Sequence, residues 1–274
     1  MKNREVSLGE VVMMTDIRIA VIGGAGGMGA WCVRFFEGRG HAVCVIDKGE
    51  EIGPAVAGCA VVVVAVPIHA TRAVIEEVGP LLDETALLMD VTSLKEGPVQ
   101  WMCDSTKAEV IGCHPLFGPS VESIKGLHVV LCPARVSRWK EWPRRLFVAE
   151  GAAIIETTPQ RHDKMMAIVQ ALNHLNTMTM GRILSETGIT PEELRDYSTP
   201  LFELKCSIIE RVVKENPRLH AEIVMNNPHI GDITALYEKV LSRMTQLIES
   251  GDDDAFVDYL EGGEKKDKGA ATGR

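Results

Sequence analysis

Short apolar runs alternate with amphipathic stretches along the first 158 residues of the chain. Residues 60–66 form a continuous apolar run, as a strand buried on both faces of a sheet requires. Runs of this kind predict strands at residues 17–22, 41–47, 60–66, 87–91, 109–113, 128–131 and 152–155. Helical spacing of apolar residues lies between them, at 30–38, 71–78, from 97 onward and at 137–149. This alternation indicates an α/β fold with a mostly parallel, doubly wound sheet.

The pattern changes at Thr158 and Pro159, which form a helix-start signal of a capping hydroxyl followed by proline. Beyond them only helical periodicity is visible, and it predicts helices at 160–187, 191–198, 201–215, 217–226, 231–249 and 253–260. The first of these helices is apolar around much of its circumference, so we expect it to be buried. We therefore predict a flexible N-terminal extension (1–15), a doubly wound Rossmann-type domain (16–158), an all-α C-terminal dimerisation domain (159–262) and a disordered tail (263–274).

A glycine-rich turn joins the first predicted strand to the first helix, and an acidic residue closes the second strand. Gly24 permits the tight turn, Gly26 allows close approach of a pyrophosphate, and Gly29 lets the helix pack against the strand. Phosphates would then lie on the free N–H groups of the helix start. Asp47 suits the adenosine ribose hydroxyls and repels a 2′-phosphate, so the pattern predicts NAD rather than NADP as the cofactor. The other predicted cofactor contacts are Met28, Val66 and Pro67. The alternative is a glycine-rich turn without a ligand.

Composition and charge exclude several classes of partner. The net charge of −9 argues against nucleic acid and anionic membrane surfaces. The seven cysteines are odd in number and include no C-x-x-C pair, which favours reduced thiols in a cytoplasmic protein. The histidines form no H-x-x-x-H or H-E-x-x-H pattern, so we predict no metal site. The N-terminus lacks the basic start and long apolar core of a signal peptide.

His114 follows the fifth predicted strand and precedes Pro115, which disfavours the α region for the residue before it. We expect His114 in extended backbone just past the strand end, in a turn closed by Gly118 and Pro119. Ser93 follows the fourth strand, so both side chains would lie at the carboxyl edge of the sheet, where ligands bind. There His114 could act as a catalytic base on a substrate hydroxyl, with Ser93 beside it. A loop histidine and a helix-capping serine are the alternatives.

Two residues of the helical part are candidates for substrate binding. His174 lies near the middle of the long apolar helix, where it is either a ligand or a core histidine with an internal partner. Arg211 follows the apolar face of a helix, and a buried arginine needs an anionic partner. That partner would be Glu203, Glu210 or a substrate carboxylate.

Taken together, these motifs resemble the prephenate dehydrogenase family, in the type that some bacteria fuse to chorismate mutase. The motifs that carry the resemblance are Gly23-Gly24-Ala25-Gly26 with Gly29, Val66-Pro67-Ile68-His69, Asp90-Val91-Thr92-Ser93-Leu94-Lys95, residues 112–119, His162-Asp163, Gln170-Ala171-Leu172-Asn173-His174 and Thr199-Pro200-Leu201-Phe202. The histidine-proline-leucine-phenylalanine-glycine-proline piece within 112–119 is specific to this family and its close relatives. The other motifs corroborate it by their order and spacing.

The resemblance implies an NAD-dependent oxidative decarboxylation of prephenate to 4-hydroxyphenylpyruvate on the route to tyrosine. By motif match, His114 takes the place of the catalytic histidine, and Ser93 that of the serine that hydrogen-bonds the ring hydroxyl. Arg211 matches an arginine that anchors a substrate carboxylate, and His174 matches a substrate-side histidine. Lys95 and Ser120 are expected as further substrate contacts. The chain departs from the pattern at Ser120, where other members have an acid, and at Glu203, where the fused relatives have a basic residue.

Two kinds of alternative remain at this point. A dehydrogenase for L-arogenate or 4-amino-4-deoxyprephenate would keep the ring and change only the side chain or a ring substituent. A non-catalytic, NAD-responsive regulator is a remote alternative that predicts a degraded His114, Ser93 or Arg211, and all three residues are present. We expect a cytoplasmic, monofunctional enzyme that forms a homodimer through its C-terminal helices.

Overall fold

The computed structural model describes residues 17–262, so the predicted extension at 1–15 and the predicted tail at 263–274 lie outside the described residues. The strands are β1 (Arg18–Ile22), β2 (Ala42–Ile46), β3 (Val61–Val64), β4 (Leu87–Asp90), β5 (Glu109–Pro115), β6 (His128–Arg135) and β7 (Ala153–Glu156). The helices of the sheet region are α1 (Gly27–Glu37), α2 (Ile52–Val56), α3 (Ile68–Val78), α4 (Glu96–Ser105) and α5 (Trp142–Ala149). The later helices are α6 (Pro159–Met166), α7 (Asn173–Glu186), α8 (Pro191–Asp196), α9 (Pro200–Glu210), α10 (Pro217–Met225), α11 (Ile230–Ser250) and α12 (Asp253–Leu260). Wider π-helical turns at Ala167–Leu172 and Arg211–Glu215 continue α6 and α9.

The strands form one sheet in the order β2-β1-β3-β4-β5-β6-β7. The neighbouring strands are parallel except for the pair β5 and β6, which is antiparallel. All four valines of β3 are buried, because this strand lies inside the sheet and is covered on both faces. The predicted doubly wound α/β fold is therefore confirmed. Helix α2 is an element that the sequence pattern did not predict.

Successive residues of the central strands face opposite sides of the sheet, and each side has its own core. On one side, Val63 packs in a cluster with Phe35 of α1. On the other side, Val64 packs in a cluster with Ile75 of α3 and Met102 of α4. Burial of each such side chain contributes about 1.5–3 kcal/mol, so these two clusters fix the strands and the edge at which they end.

Strand β5 continues further than the sequence predicted. Its parallel register with β4 ends at the pair Asp90 and Gly112, but the antiparallel strand β6 extends the ladder to His114 and Pro115. The expected extended backbone at His114 is confirmed, whereas its predicted position in a turn past the strand end is wrong. His114 lies within β5, opposite Val130 of β6, and is held by the sheet instead of a loop.

The helical character of the chain after Pro159 is confirmed, but the predicted burial of its first helix is wrong within the single chain. Ala167 and Ala171 are buried, whereas Ile168 and Val169 are 49% and 59% exposed. The helix thus has one packed face and one open apolar face. Apolar periodicity alone does not distinguish burial inside a chain from burial against a second chain.

The chain forms two compact units that divide between Pro228 and His229. The first holds the sheet and helices α1 to α10, and the predicted domain boundary at residue 158 falls inside it. In the second unit, α11 ends at Gly251, which has a left-handed backbone with φ of 65°. Asp252 then caps α12 by accepting the N–H of Ala255 at 2.9 Å.

Within residues 17–262, none of the helices has the length and apolar character needed to cross a membrane.

Candidate active site

The glycine loop between β1 and α1 has the shape that a pyrophosphate requires. Gly23 has φ of 83°, which places it in the left-handed region. A Cβ on Gly29 would overlap the carbonyl oxygen of Gly23, and one on Gly24 would lie 2.7 Å from Cγ1 of Val45. Helix α1 has Gly26 at its N-cap, and no side chain caps its first turn. The loop and helix start therefore fit the phosphates of a dinucleotide, held by backbone N–H groups.

The remaining predicted cofactor residues surround this loop. Asp47 follows β2 and accepts the N–H of Ala25 at 2.9 Å through Oδ2, which ties the end of β2 to the glycine loop. Val66 lies beside the loop, since a Cβ on Gly23 would be 3.0 Å from its Cγ1. Pro67 follows it as the exposed N-cap residue of α3. Met28, the fourth residue of this group, is half-buried and packs against the core beneath α1.

His114 is almost completely buried, at 3% exposure. Burial holds the pKa of its imidazole well below the usual value, and His162 and Lys95 lower it further. His114 is therefore neutral near pH 7. Its Nε2 atom lies 3.4 Å from the amide nitrogen of Gln170.

The other ring nitrogen of His114 begins a buried chain of hydrogen bonds. His114 Nδ1 lies 2.8 Å from Nε2 of His162, and His162 Nδ1 lies 2.7 Å from Oδ1 of Asp163. The Asp163 carboxylate also accepts the backbone N–H groups of Lys95 and Glu96 at 2.8 Å each. The sequence displayed His162 and Asp163 as a motif but predicted no role for them. The signal that could have identified them is an adjacent histidine and aspartate in the first turn after the sheet.

Lys95 does not lie where a substrate contact would require it. Its side chain is fully buried, and its ammonium forms an ion pair with Asp90. Thr92 also donates its N–H and hydroxyl to Oδ2 of Asp90, at 3.1 and 2.7 Å. The predicted substrate contact of Lys95 is therefore wrong, because its ammonium is buried and already paired with the Asp90 carboxylate.

Ser93 and Ser120 lie near the sheet edge in different surroundings. Ser93 is half-buried and follows β4, whose neighbour β5 carries His114, so the two predicted catalytic residues lie at the ends of adjacent strands. Ser120 is exposed. Its neighbour Pro119 approaches the start of α1, since a Cβ on Gly27 would be 3.0 Å from Pro119 Cγ. Ser120 therefore lies next to the glycine loop.

The two helical candidates have opposite environments. His174 is half-buried, with its ring centroid 4.6 Å from that of His220. Burial, and then His220, lower the pKa of His174 to about 4, and its buried Nδ1 has no hydrogen-bond partner. Arg211 is exposed, and its Nε lies 4.0 Å from Oε2 of Glu215. The expectation of a buried Arg211 paired with Glu203 or Glu210 is wrong, because the guanidinium faces solvent and Glu210 pairs with Lys214 at 2.9 Å.

The chain matches two models of known protein families. Residues 37–156 match the family model of the prephenate dehydrogenase nucleotide-binding domain, and residues 158–262 match that of the prephenate dehydrogenase dimerization domain. The chain belongs to the prephenate dehydrogenase family. The family resemblance named from the motifs is thus confirmed, as is a nucleotide-binding domain that precedes a helical one.

The chain is also similar in sequence to several individual proteins. A probable arogenate/prephenate dehydrogenase of Methanocaldococcus jannaschii is 35% identical, over 90% of this chain and 60% of that protein. The T-protein of Haemophilus influenzae is 30% identical, over 93% of this chain and 68% of its own length. A 4-amino-4-deoxyprephenate dehydrogenase of Streptomyces pristinaespiralis is 25% identical, with 88% of each chain covered. Because the chain spans less than two thirds of the archaeal relative, activity and substrate are matters for proposal.

The fold has counterparts among solved structures. The crystal structure of prephenate dehydrogenase from A. aeolicus in complex with hydroxyphenyl propionate and NAD+ superimposes with a TM-score of 0.72. The alignment covers 92% of this chain and 97% of that one, at 19% sequence identity. At this identity the likeness establishes the shared fold of the two chains.

Proposed function

We propose that the protein catalyses the NAD-dependent oxidative decarboxylation of prephenate to 4-hydroxyphenylpyruvate, a step of tyrosine biosynthesis. The observation that carries the proposal is His114, a buried imidazole whose pKa is held well below its usual value by burial. It lies at the same sheet edge as the glycine loop, because β1 and β5 run in the same direction. A neutral imidazole at this edge can take the proton of a substrate hydroxyl near neutral pH.

The chemistry follows from the groups at this edge. Bound NAD+ supplies the hydride acceptor, and the glycine loop would hold its pyrophosphate. Nε2 of His114 accepts the C4 hydroxyl proton as hydride leaves C4, and that carbon becomes a ketone. The bond to the ring carboxylate then breaks, CO2 leaves, and the electron pair moves through the ring to the ketone oxygen. His114 returns its proton to that oxygen, which leaves a phenol and a neutral imidazole.

The other predicted residues hold the substrate in this scheme. Ser93 hydrogen-bonds the ring hydroxyl from the end of the strand next to that of His114. His174 offers a buried ring nitrogen that lacks a partner, and Ser120 contributes a hydroxyl beside the cofactor loop. Arg211 stays protonated, so it cannot act as an acid or base, and its role is to anchor a carboxylate.

Replacing Arg211 with alanine is expected to raise KM for the substrate about tenfold or more, with kcat little changed. The reason is that the guanidinium contributes binding that is equally strong in the ground state and the transition state. Steady-state kinetics measure both constants. The matched control is Lys214→Ala, since Lys214 is an exposed cation in the same π-helical turn and pairs with Glu210. Equal KM values for the two variants would remove Arg211 from the substrate site.

Relatives with other substrates define the competing function. L-Arogenate and 4-amino-4-deoxyprephenate share the cyclohexadienyl ring of prephenate, and relatives of this chain carry both names. The same His114 could serve the hydroxyl of arogenate, whereas the amino analogue presents an amine at that carbon. A non-catalytic, NAD-responsive regulator would also use the glycine loop, but it is not favoured, because the buried neutral imidazole of His114 serves no purpose in it.

The test of the function is NADH formation with each of the three candidate substrates, with and without added tyrosine. We expect the highest kcat/KM with prephenate. A preference for arogenate or the amino analogue would replace the proposed substrate and keep the reaction class. No NADH formation with any of them, by a protein that binds NAD, would contradict the enzymatic proposal.

We further propose that the protein forms a homodimer and is located in the cytoplasm. The helical part matches a dimerization domain, and dimer formation through these helices would cover the exposed apolar side chains of Ile168, Val169 and Ile183. All seven cysteines are free thiols, which suits the reducing cytoplasm. Sedimentation of the purified protein would measure the assembly, and a monomer at micromolar concentration would contradict it.

A further inference from the structure

We propose that Asp163 and His162 are positioning residues that fix the tautomer of His114, so that Nδ1 carries the proton and Nε2 is the bare nitrogen that acts as base. The inference rests on the proposed function only in naming the substrate hydroxyl as the source of the proton that Nε2 of His114 takes. The arrangement itself is a linear chain of hydrogen bonds, His114 to His162 to Asp163, closed to solvent along its length.

The direction of this chain is set at its Asp163 end. Both carboxylate oxygens already accept a backbone N–H, from Lys95 and from Glu96 at the start of α4. Both oxygens therefore act as hydrogen-bond acceptors at the positive end of the α4 dipole. An ionised carboxylate can only accept, so the contact from His162 Nδ1 is an N–H donated to Asp163.

The remaining protons follow for a neutral His162, whereas a protonated His162 paired with Asp163 would donate from Nε2 and move the proton of His114 to its own Nε2. A neutral His162 that donates from Nδ1 has a bare Nε2, and this atom can only accept. His114 must then donate from Nδ1 across the 2.8 Å contact, which leaves its own Nε2 without a proton. The amide nitrogen of Gln170, at 3.4 Å from that Nε2, presents a donor to the bare nitrogen and agrees with this assignment.

The same chain supports the charge that forms when His114 takes a proton. Lys95, whose charge acts on His114, forms a buried ion pair with Asp90. The Asp163 carboxylate lies two hydrogen bonds away from the new imidazolium. In a buried site with few mobile dipoles, the attraction between them is stronger than it would be in water.

Another alternative, with a neutral Asp163, reverses every proton in the chain. A neutral Asp163 would donate to His162 Nδ1, His162 would donate from Nε2, and His114 would carry its proton on Nε2. This arrangement makes His114 useless as a base, and it requires a neutral carboxyl at a position that two backbone N–H groups already serve. The proposed and the alternative arrangements place the proton of His114 on different ring nitrogens, Nδ1 or Nε2, and this difference can be measured.

Nitrogen NMR of ¹⁵N-histidine-labelled protein tests the assignment directly and needs no substrate. The His114 signals are identified by their absence in the His114→Asn variant. We expect a protonated Nδ1 and a bare Nε2 at neutral pH in the presence of NAD. A proton on Nε2 of His114, or equal populations of both tautomers, would overturn the proposal even if the enzyme proves fully active. Failure to oxidise prephenate would leave this readout unaffected.

Two substitutions at His162 supply the kinetic test. In His162→Phe the Nδ1–H of His114 loses its acceptor, and we expect kcat to fall roughly 10–100-fold with KM within about twofold, a smaller loss than removal of the base itself. His162→Gln offers an amide oxygen that can accept this N–H, so it should recover most of kcat. His41→Phe is the matched control, since His41 is a buried histidine that packs against Phe36 and Trp142.

Each result of this comparison is decisive. A change in KM without a change in kcat, or equal losses in the phenylalanine and glutamine variants, would overturn the positioning role. If His162→Phe does not fold, the glutamine variant and its His114 tautomer, read by NMR, still decide the question.

Discussion

Replacing His114 with asparagine is expected to lower kcat by about 10²–10⁴-fold while NAD binds as in the unaltered protein. Asparagine retains a polar amide that can donate toward His162, so the buried chain of hydrogen bonds keeps a partner at this position. It cannot take a proton from a hydroxyl, so the step that depends on the base slows. Because His114 lies in β5 and not in the glycine loop, the cofactor site is unchanged.

The measurement is turnover by NADH formation together with the Kd of NAD from isothermal titration calorimetry. His128→Asn is the control, because His128 is an exposed histidine at the start of the neighbouring strand β6. Normal turnover by the His114→Asn protein would exclude His114 as the base. A loss of NAD binding in that variant would indicate a damaged fold instead of damaged chemistry.

The unaltered enzyme should show a matching dependence on pH. The pKa of His114 is lowered well below 6.5, first by burial and then by His162 and Lys95. The imidazole is thus a competent base above its lowered pKa and loses activity only as the pH falls through that value. We expect kcat to stay level from pH 8 to below 6.5 and then to decline.

Replacing Lys95 with methionine is expected to lower the free energy of unfolding by about 3–5 kcal/mol. Methionine has a similar length, but it leaves the Asp90 carboxylate buried without its counter-ion. One oxygen of Asp90 already lacks a hydrogen-bond partner, so Thr92 cannot make up the loss. Such a change is large relative to the total stability of about 5–15 kcal/mol of a folded domain.

Urea unfolding, followed by tryptophan fluorescence, measures this loss. The double variant Asp90→Asn/Lys95→Met removes both charges and should recover a large part of it, because the cost comes from an unpaired charge and not from lost volume. Lys107→Met serves as the control, since Lys107 forms an exposed pair with Glu84 at 3.4 Å. Unchanged stability with a raised KM in Lys95→Met would restore Lys95 as a substrate contact.

The fold was predictable wherever a single element carries its own pattern. The valines of β3 are apolar on both faces because both faces are buried, so the run alone identifies a central strand. Helix α2 was missed because Gly53 and Pro54 lie inside it, and both residues usually mark a turn. The end of β5 was misplaced because its last residues are held by β6, and the reach of a partner strand is not visible locally.

Some features of the candidate active site were likewise predictable from the sequence, and others were not. The glycine loop and the extended backbone before Pro115 were predictable, because they follow from backbone constraints within a few residues. The contact between His114 and His162 joins residues 48 positions apart, and only the folded chain brings them together. Lys95 was misassigned because its partner Asp90 is a buried residue at the end of a strand, which the sequence alone does not distinguish from an open edge.

The contacts of the Asp163 carboxylate limit which hybrid genes could encode a complete active site. It ties α6 to the N-terminus of α4, across the boundary at residues 156–158 where the two family models meet. A hybrid gene joined at that boundary would take His114 from one parent and Asp163 from the other. Its active site would be complete only if the α4 of one parent fits the α6 of the other. The two parts of this chain are thus expected to diverge together, because recombination at the boundary between them would break the contacts of Asp163.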